Sequence, residues 1–144
     1  MTKKILLGLI AIFFLTFCSH KTSENQLSRA DDFKIIINSP DTVGKDQECF
    51  ASIHINNPNY KLIDATFDCT VTDTSTVDTH ATQFSNGKIH GCNNALVIKN
   101  DSVKIWFGTG QITGKQNFED ITLLAKSTDG KYYYQKCTFD YYIK

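Results

Sequence analysis

Residues 49–56 read Cys-Phe-Ala-Ser-Ile-His-Ile-Asn, a strict alternation that constrains this chain more than any other feature. Successive side chains of an extended strand point to opposite faces, so Cys49, Ala51, Ile53 and Ile55 share one face and Phe50, Ser52, His54 and Asn56 the other. That is the pattern of a strand buried on one side and wet on the other. A second run follows the Asn57-Pro58-Asn59 turn, with Ile63, Ala65, Phe67, Cys69 and Val71 alternating with Leu62, Asp64, Thr66, Asp68 and Thr70. Residues 33–38 form a shorter strand stopped by Ser39-Pro40-Asp41, and residues 96–107 divide into two strands at Asn100-Asp101. Residues 121–126 and 132–143 flank Ser127-Thr128-Asp129-Gly130, a tight hairpin because Asp-Gly accepts positive φ. Between these runs, 72–78 reads as a polar loop and 80–89 as a weak hairpin about Asn86-Gly87. No stretch after the first 17 residues shows capped helical periodicity, so essentially no helix is expected there.

The N-terminus carries a different message. Lys3-Lys4 precedes an apolar run, 5–17, that is too short to cross a hydrocarbon core needing about 20 helical residues. It ends in Leu15-Thr16-Phe17-Cys18, which resembles a lipobox, with Phe17 where Gly, Ala or Ser is usual; this looser form is similar to those of Bacteroidota lipoproteins. The resemblance implies a signal peptide over 1–17, a lipidated Cys18 and attachment to the outer membrane. Ser19-His20-Lys21-Thr22-Ser23 lacks the acidic residues that accompany surface display in that group, so a periplasm-facing position is expected. Residues 18–31 are polar and read as a tether, leaving 32–144 as the folded domain. With Lys3 and Lys4 removed, thirteen basic residues oppose fifteen acidic ones, a formal charge of −2 with no basic cluster, which argues against a nucleic-acid partner.

Four cysteines remain once Cys18 is set aside: Cys49, Cys69, Cys92 and Cys137, an even set suited to two disulfides in an oxidising compartment. If the strands on either side of Asn57-Pro58-Asn59 form a hairpin, Cys49 and Cys69 come level on the inward face. They then fall within the roughly 4.4–6.8 Å Cα separation a disulfide needs, leaving Cys92 for Cys137. The cysteines and histidines are too scattered for a zinc motif, and neither a metal nor another cofactor is expected.

The C-terminal third adds a second resemblance. Gly114-x-x-Asn117-Phe118-x-x-Ile121-x-Leu123, Asp129-Gly130, and Tyr132-Tyr133-Tyr134 leading to Phe139-x-Tyr141 resemble the last two strands of bacterial immunoglobulin-like domains. Domains of this kind end gliding-motility and secretion-associated envelope proteins. The expected fold is all-β, a two-sheet antiparallel immunoglobulin-like sandwich of about seven strands. The alternative is a small lipocalin-like β-barrel, which would require the strands to close around a cavity.

Catalytic markers are missing. There is no G-x-S-x-G, H-E-x-x-H or phosphate-cradling loop, and Phe107-Gly108-Thr109-Gly110 reads as a turn. Asp64 and Asp68 lie about 13 Å apart along an extended strand, too far for a carboxylate pair acting alone, and read as solvent-facing; His54 reads as an outward polar residue. The surface feature that stands out is aromatic. Trp106, Tyr132, Tyr134 and Tyr142 fall on outward positions and suggest a platform for a protein or glycan. Thr42 and Ser102, in Asp41-Thr42-Val43 and Asp101-Ser102-Val103, match the Asp-Ser/Thr-apolar pattern of O-glycosylated Bacteroidota proteins. The function expected is that of a non-enzymatic binding or assembly module anchored by its lipid, with a protein partner in the envelope. The alternative is a small-ligand or glycan binder using an aromatic face.

Overall fold

The computed structural model describes residues 25–30, 32–81 and 87–144. Cys18, the signal sequence and the tip of the 80–89 segment lie outside the described residues. Nine strands follow in chain order: β1 (Leu27–Arg29), β2 (Ile35–Asn38), β3 (Thr42–Val43), β4 (Glu48–Ile55), β5 (Tyr60–Phe67), β6 (Val97–Lys99), β7 (Ser102–Gly108), β8 (Gly114–Ser127) and β9 (Tyr132–Ile143). Among the described residues there is no helix.

The strands form two sheets, one ordered β2-β4-β7-β6 and the other β1-β9-β8-β5, with β3 also on β9. All pairings are antiparallel except those of β1 and β3, which run parallel to the outer edge of β9. Without β1 and β3, this is the strand order of a constant-type immunoglobulin domain: four strands (A, B, E, D) facing three (C, F, G). The sheets pack face to face and do not close, so the barrel alternative fails.

Between them lies the main core. Cys49, Ala51 and Ile53 from β4 and Val103, Ile105 and Phe107 from β7 meet Ile121, Leu123 and Ala125 from β8 and Phe139 and Ile143 from β9. The alternation in β4 and β7 delivers these residues on one face, as the sequence pattern requires. From β9, Tyr133, Cys137 and Tyr141 pack against the same core. Phe107 sits with its ring centroid 4.9 Å from Tyr141 and 6.0 Å from Phe118 and from Phe139. Aromatic contacts at such distances add to plain area burial.

Four local expectations are corrected. Residues 25–30 belong to the fold: Leu27 and Ala30 are buried, β1 lies beside Tyr132–Tyr134, and Leu27 N–H donates to Ser75 O. Two apolar residues in a polar stretch suffice when a sheet edge receives them. In β5 the ladder with β8 shifts between Leu62 and Asp64, so the alternation changes phase. Leu62 and Ala65 enter the main core while Ile63 packs on the far side of the sheet. Asp64 consequently turns from solvent and is buried; Asp68 is exposed, as expected.

The disulfide scheme is the fourth correction. Cys69 bonds Cys92, with Cα atoms 5.8 Å apart, and Cys49 and Cys137 are free thiols. Asn57-Pro58-Asn59 is a link between sheets and not a hairpin turn: β4 pairs with β2 and β7, and β5 with β8. Cys49 and Cys69 therefore never come level.

Candidate functional site

The two sheets differ on their outer faces. Over the β9-β8-β5 sheet runs an excursion whose described parts are residues 68–81 and 87–96, tied near both ends by the Cys69–Cys92 disulfide. Backbone bonds stitch it internally, Asp78 N–H to Lys88 O and His90 N–H to Thr76 O, and to its surroundings, Val77 N–H to Asn25 O and Leu96 N–H back to Ala65 O of β5. Under it a second core gathers Leu27, Val71, Val77, Ile89, Cys92, Leu124 and Tyr134. Asp64 lies under the same cover and accepts a short hydrogen bond from the Lys88 backbone N–H. Burial holds the Asp64 carboxyl above its ordinary range, opposed in part by that bond.

Among the described residues nothing comparable overlies the β2-β4-β7-β6 sheet. Its outward positions fall into rows set by register. Ile36, His54, Ser102 and Lys99 make one; Asn38, Ser52, Lys104 and Val97 the next; Phe50 and Trp106 a third; Glu48 lies beside Gly108 beyond them. Phe50 is 70% exposed and Trp106 and Val97 are each 64% exposed. Two cross-strand aromatics left in water beside each other, with lysines and short polar side chains next to them, form the candidate site.

The four aromatics expected to form one platform are not brought together. Trp106 belongs to one sheet and Tyr132, Tyr134 and Tyr142 to the other, whose outer faces point in opposite directions. Tyr134 is buried beneath the excursion and its hydroxyl donates to Asp73 Oδ1 at 3.1 Å, while Tyr132 is half-buried with Lys126 Nζ 5.4 Å from its ring centroid. Tyr142 is half exposed beside β3. Phe50 was the missed partner of Trp106. Its signal stood in the alternation itself, an aromatic on the side otherwise occupied by Ser52, His54 and Asn56.

Other chemistry-bearing groups are dispersed. Burial pushes the Cys137 thiol up to about 12, so it stays protonated at neutral pH and is a poor nucleophile. Among the described residues no three metal-ligating side chains converge. A shallow cavity of about 340 Å³ lies at the β4–β5 link, lined by Ile55, Asn57, Tyr60, Lys61 and Asp101 among others. Thr42 is exposed in β3, and Ser102 is half-buried at the start of β7, just after the Asn100-Asp101 turn.

No family model and no curated protein matches the chain. Among solved structures it is similar to the sulfur carrier protein SoxY from Chlorobium limicola f thiosulfatophilum, with 9% identity over 83% of this chain and 86% of that one and a TM-score of 0.38. It is also similar to a superoxide reductase (neelaredoxin) from Ignicoccus hospitalis, with 11% identity over 76% and 80% of the two chains and a TM-score of 0.35. Likenesses this distant carry no argument about the chemistry of this chain.

Proposed function

We propose that the chain is an exported envelope lipoprotein, held at the outer membrane through Cys18 and facing the periplasm, whose sandwich is a binding module working through the outer face of the β2-β4-β7-β6 sheet. The observation that carries the reading is the pair Phe50 and Trp106. Each leaves most of a large aromatic surface in water, on a rigid sheet where a partner would recover that burial at little ordering cost. The export half is supported by the ordered Lys-Lys, apolar run and cysteine at the N-terminus, and by a disulfide of the kind that persists in oxidising compartments.

The two halves are tested separately. Metabolic palmitate labelling should mark the wild-type chain and fail in Cys18→Ala; undiminished label in the variant removes the anchor. A photo-cross-linking amino acid introduced at position 106 should give an adduct in intact cells that is absent when it is placed at 126 on the opposite sheet. Equal yields at the two positions, or none at 106, remove the binding face.

A further inference from the structure

We infer that this face binds an anionic polysaccharide, with sugar rings stacked on Trp106 and Phe50 and acid groups met by Lys104 and Lys99. The inference rests on the binding-module reading and names its ligand class. Phe50 and Trp106 are direct cross-strand neighbours, which places their Cβ atoms about 4.5–5.5 Å apart and makes an apolar strip two strands wide. Lys104 is two residues from Trp106 on the same face of β7, about 6.6 Å along the strand, with Ser52 on one side and Val97 on the other. A sugar ring offers a C–H face to stack on an indole and hydroxyls to reach short polar side chains. Asn38 and Ser52 stand in the row next to the aromatic pair with Lys104 and Val97, and His54 and Ser102 in the row after it with Ile36 and Lys99, so polar side chains outnumber apolar ones around the pair. A protein-binding centre would instead surround its aromatics with apolar side chains that exclude water.

The charges on the face select an anion. Both ion pairs found among the described residues lie elsewhere, at Lys115–Asp140 and Lys131–Asp129, so Lys99 and Lys104 have no carboxylate partner. The acidic side chain on the outward rows is Glu48, one row beyond Phe50 on the side away from the lysines. A bound chain therefore turns its acid groups toward β6 and lays the C–H faces of its rings over Phe50 and Trp106. The proposed anchor is compatible with an open face. Asn25 lies at the end of the sandwich that carries the β8–β9 turn, seven positions after Cys18, a reach of at most about 25 Å. Phe50 and Trp106 lie in the half toward the opposite end, away from the point where the chain enters the sandwich.

The test uses the full-length chain in neutral detergent, run in native gels containing polygalacturonate, dextran or polyglutamate. Polygalacturonate should retard it well beyond the other two polymers. Trp106→Ala should weaken that binding about tenfold, the scale of one lost stacking contact. Lys104→Glu should weaken it comparably and flatten its salt dependence, Glu48→Gln should strengthen it, and Lys126→Ala on the other sheet should leave it unchanged. Thermal melting of each variant shows whether the fold is intact. Equal retardation by polyglutamate with no effect of Trp106→Ala means charge alone and overturns the inference, as does binding to dextran only or to none of the three. If polygalacturonate fails while the cross-linker at 106 captures an envelope protein, the glycan inference falls and the binding face stands; if both fail, both fall.

Discussion

The two sheets share one core but meet solvent in opposite ways, and the comparison separates what this chain needs in order to fold from what it leaves available. The β9-β8-β5 sheet is buried on both sides around Leu124 and Tyr134, where its outer layer consists of polar loop, the three apolar anchors Val71, Val77 and Ile89, and a disulfide. The β2-β4-β7-β6 sheet is buried on one side and keeps Phe50 and Trp106 in water.

The comparison should be broken first by removing the disulfide. Cys69→Ala with Cys92→Ala releases an excursion of 23 residues' separation, and unfolding free energy should fall by about 3 kcal/mol. Denaturant melts give the loss, and dye binding should report exposure of Leu124 and Tyr134. A loss under about 0.5 kcal/mol would mean that the backbone stitching holds the cover without the bond.

A smaller effect is expected at Asp64. Asp64→Ala strips the Lys88 N–H of its acceptor and should cost about 1–2 kcal/mol, whereas Asp64→Asn keeps an acceptor and should cost less. The pH dependence gives a sharper test. Burial raises the carboxyl above its ordinary 3.8 in the folded state, so the proton is bound more tightly folded than unfolded. Its contribution to stability is therefore complete below about 3.8 and is lost as pH rises through the raised folded value. Melts of wild type and Asp64→Asn from pH 4 to 7 should show the variant gaining on wild type as pH rises; parallel curves would show that Asp64 does not titrate in this way.

The smallest effect belongs to the bare face. Phe50→Ala and Trp106→Ala together should change stability by no more than about 0.5 kcal/mol, because neither side chain is part of a core. A loss above about 1 kcal/mol in the same melts would assign the pair to packing and not to recognition.

What was legible in the sequence is what local physics governs. The Asn100-Asp101 turn has φ of 53° and 54°, the left-handed pair a tight hairpin requires, and Gly130 at 86° closes the β8–β9 turn. The alternation in β4 was legible for the same reason, since one residue's neighbours decide its side. Sheet membership was not, because alternation tells in from out but says nothing about which of two sheets a strand joins. That ambiguity misplaced the tyrosines relative to Trp106 and paired Cys49 with Cys69. The β5 bulge at Leu62/Asp64 leaves no compositional mark, and the apolar anchors of the cover, Val71, Val77 and Ile89, are spaced by loop geometry and not by a period.

The parallel pairing of β1 and β3 with β9 has a mechanical consequence. The chain enters β1 at the end of the sandwich that carries the β8–β9 turn and finishes at Lys144, at the other end of β9. A pull between residue 25 and residue 144 is therefore directed along the strands. It slides the two short ladders lengthwise and loads their backbone hydrogen bonds together, where a peeling force would open them one at a time. β1 and β3 contribute only three and two residues, yet each short ladder resists such a pull in shear.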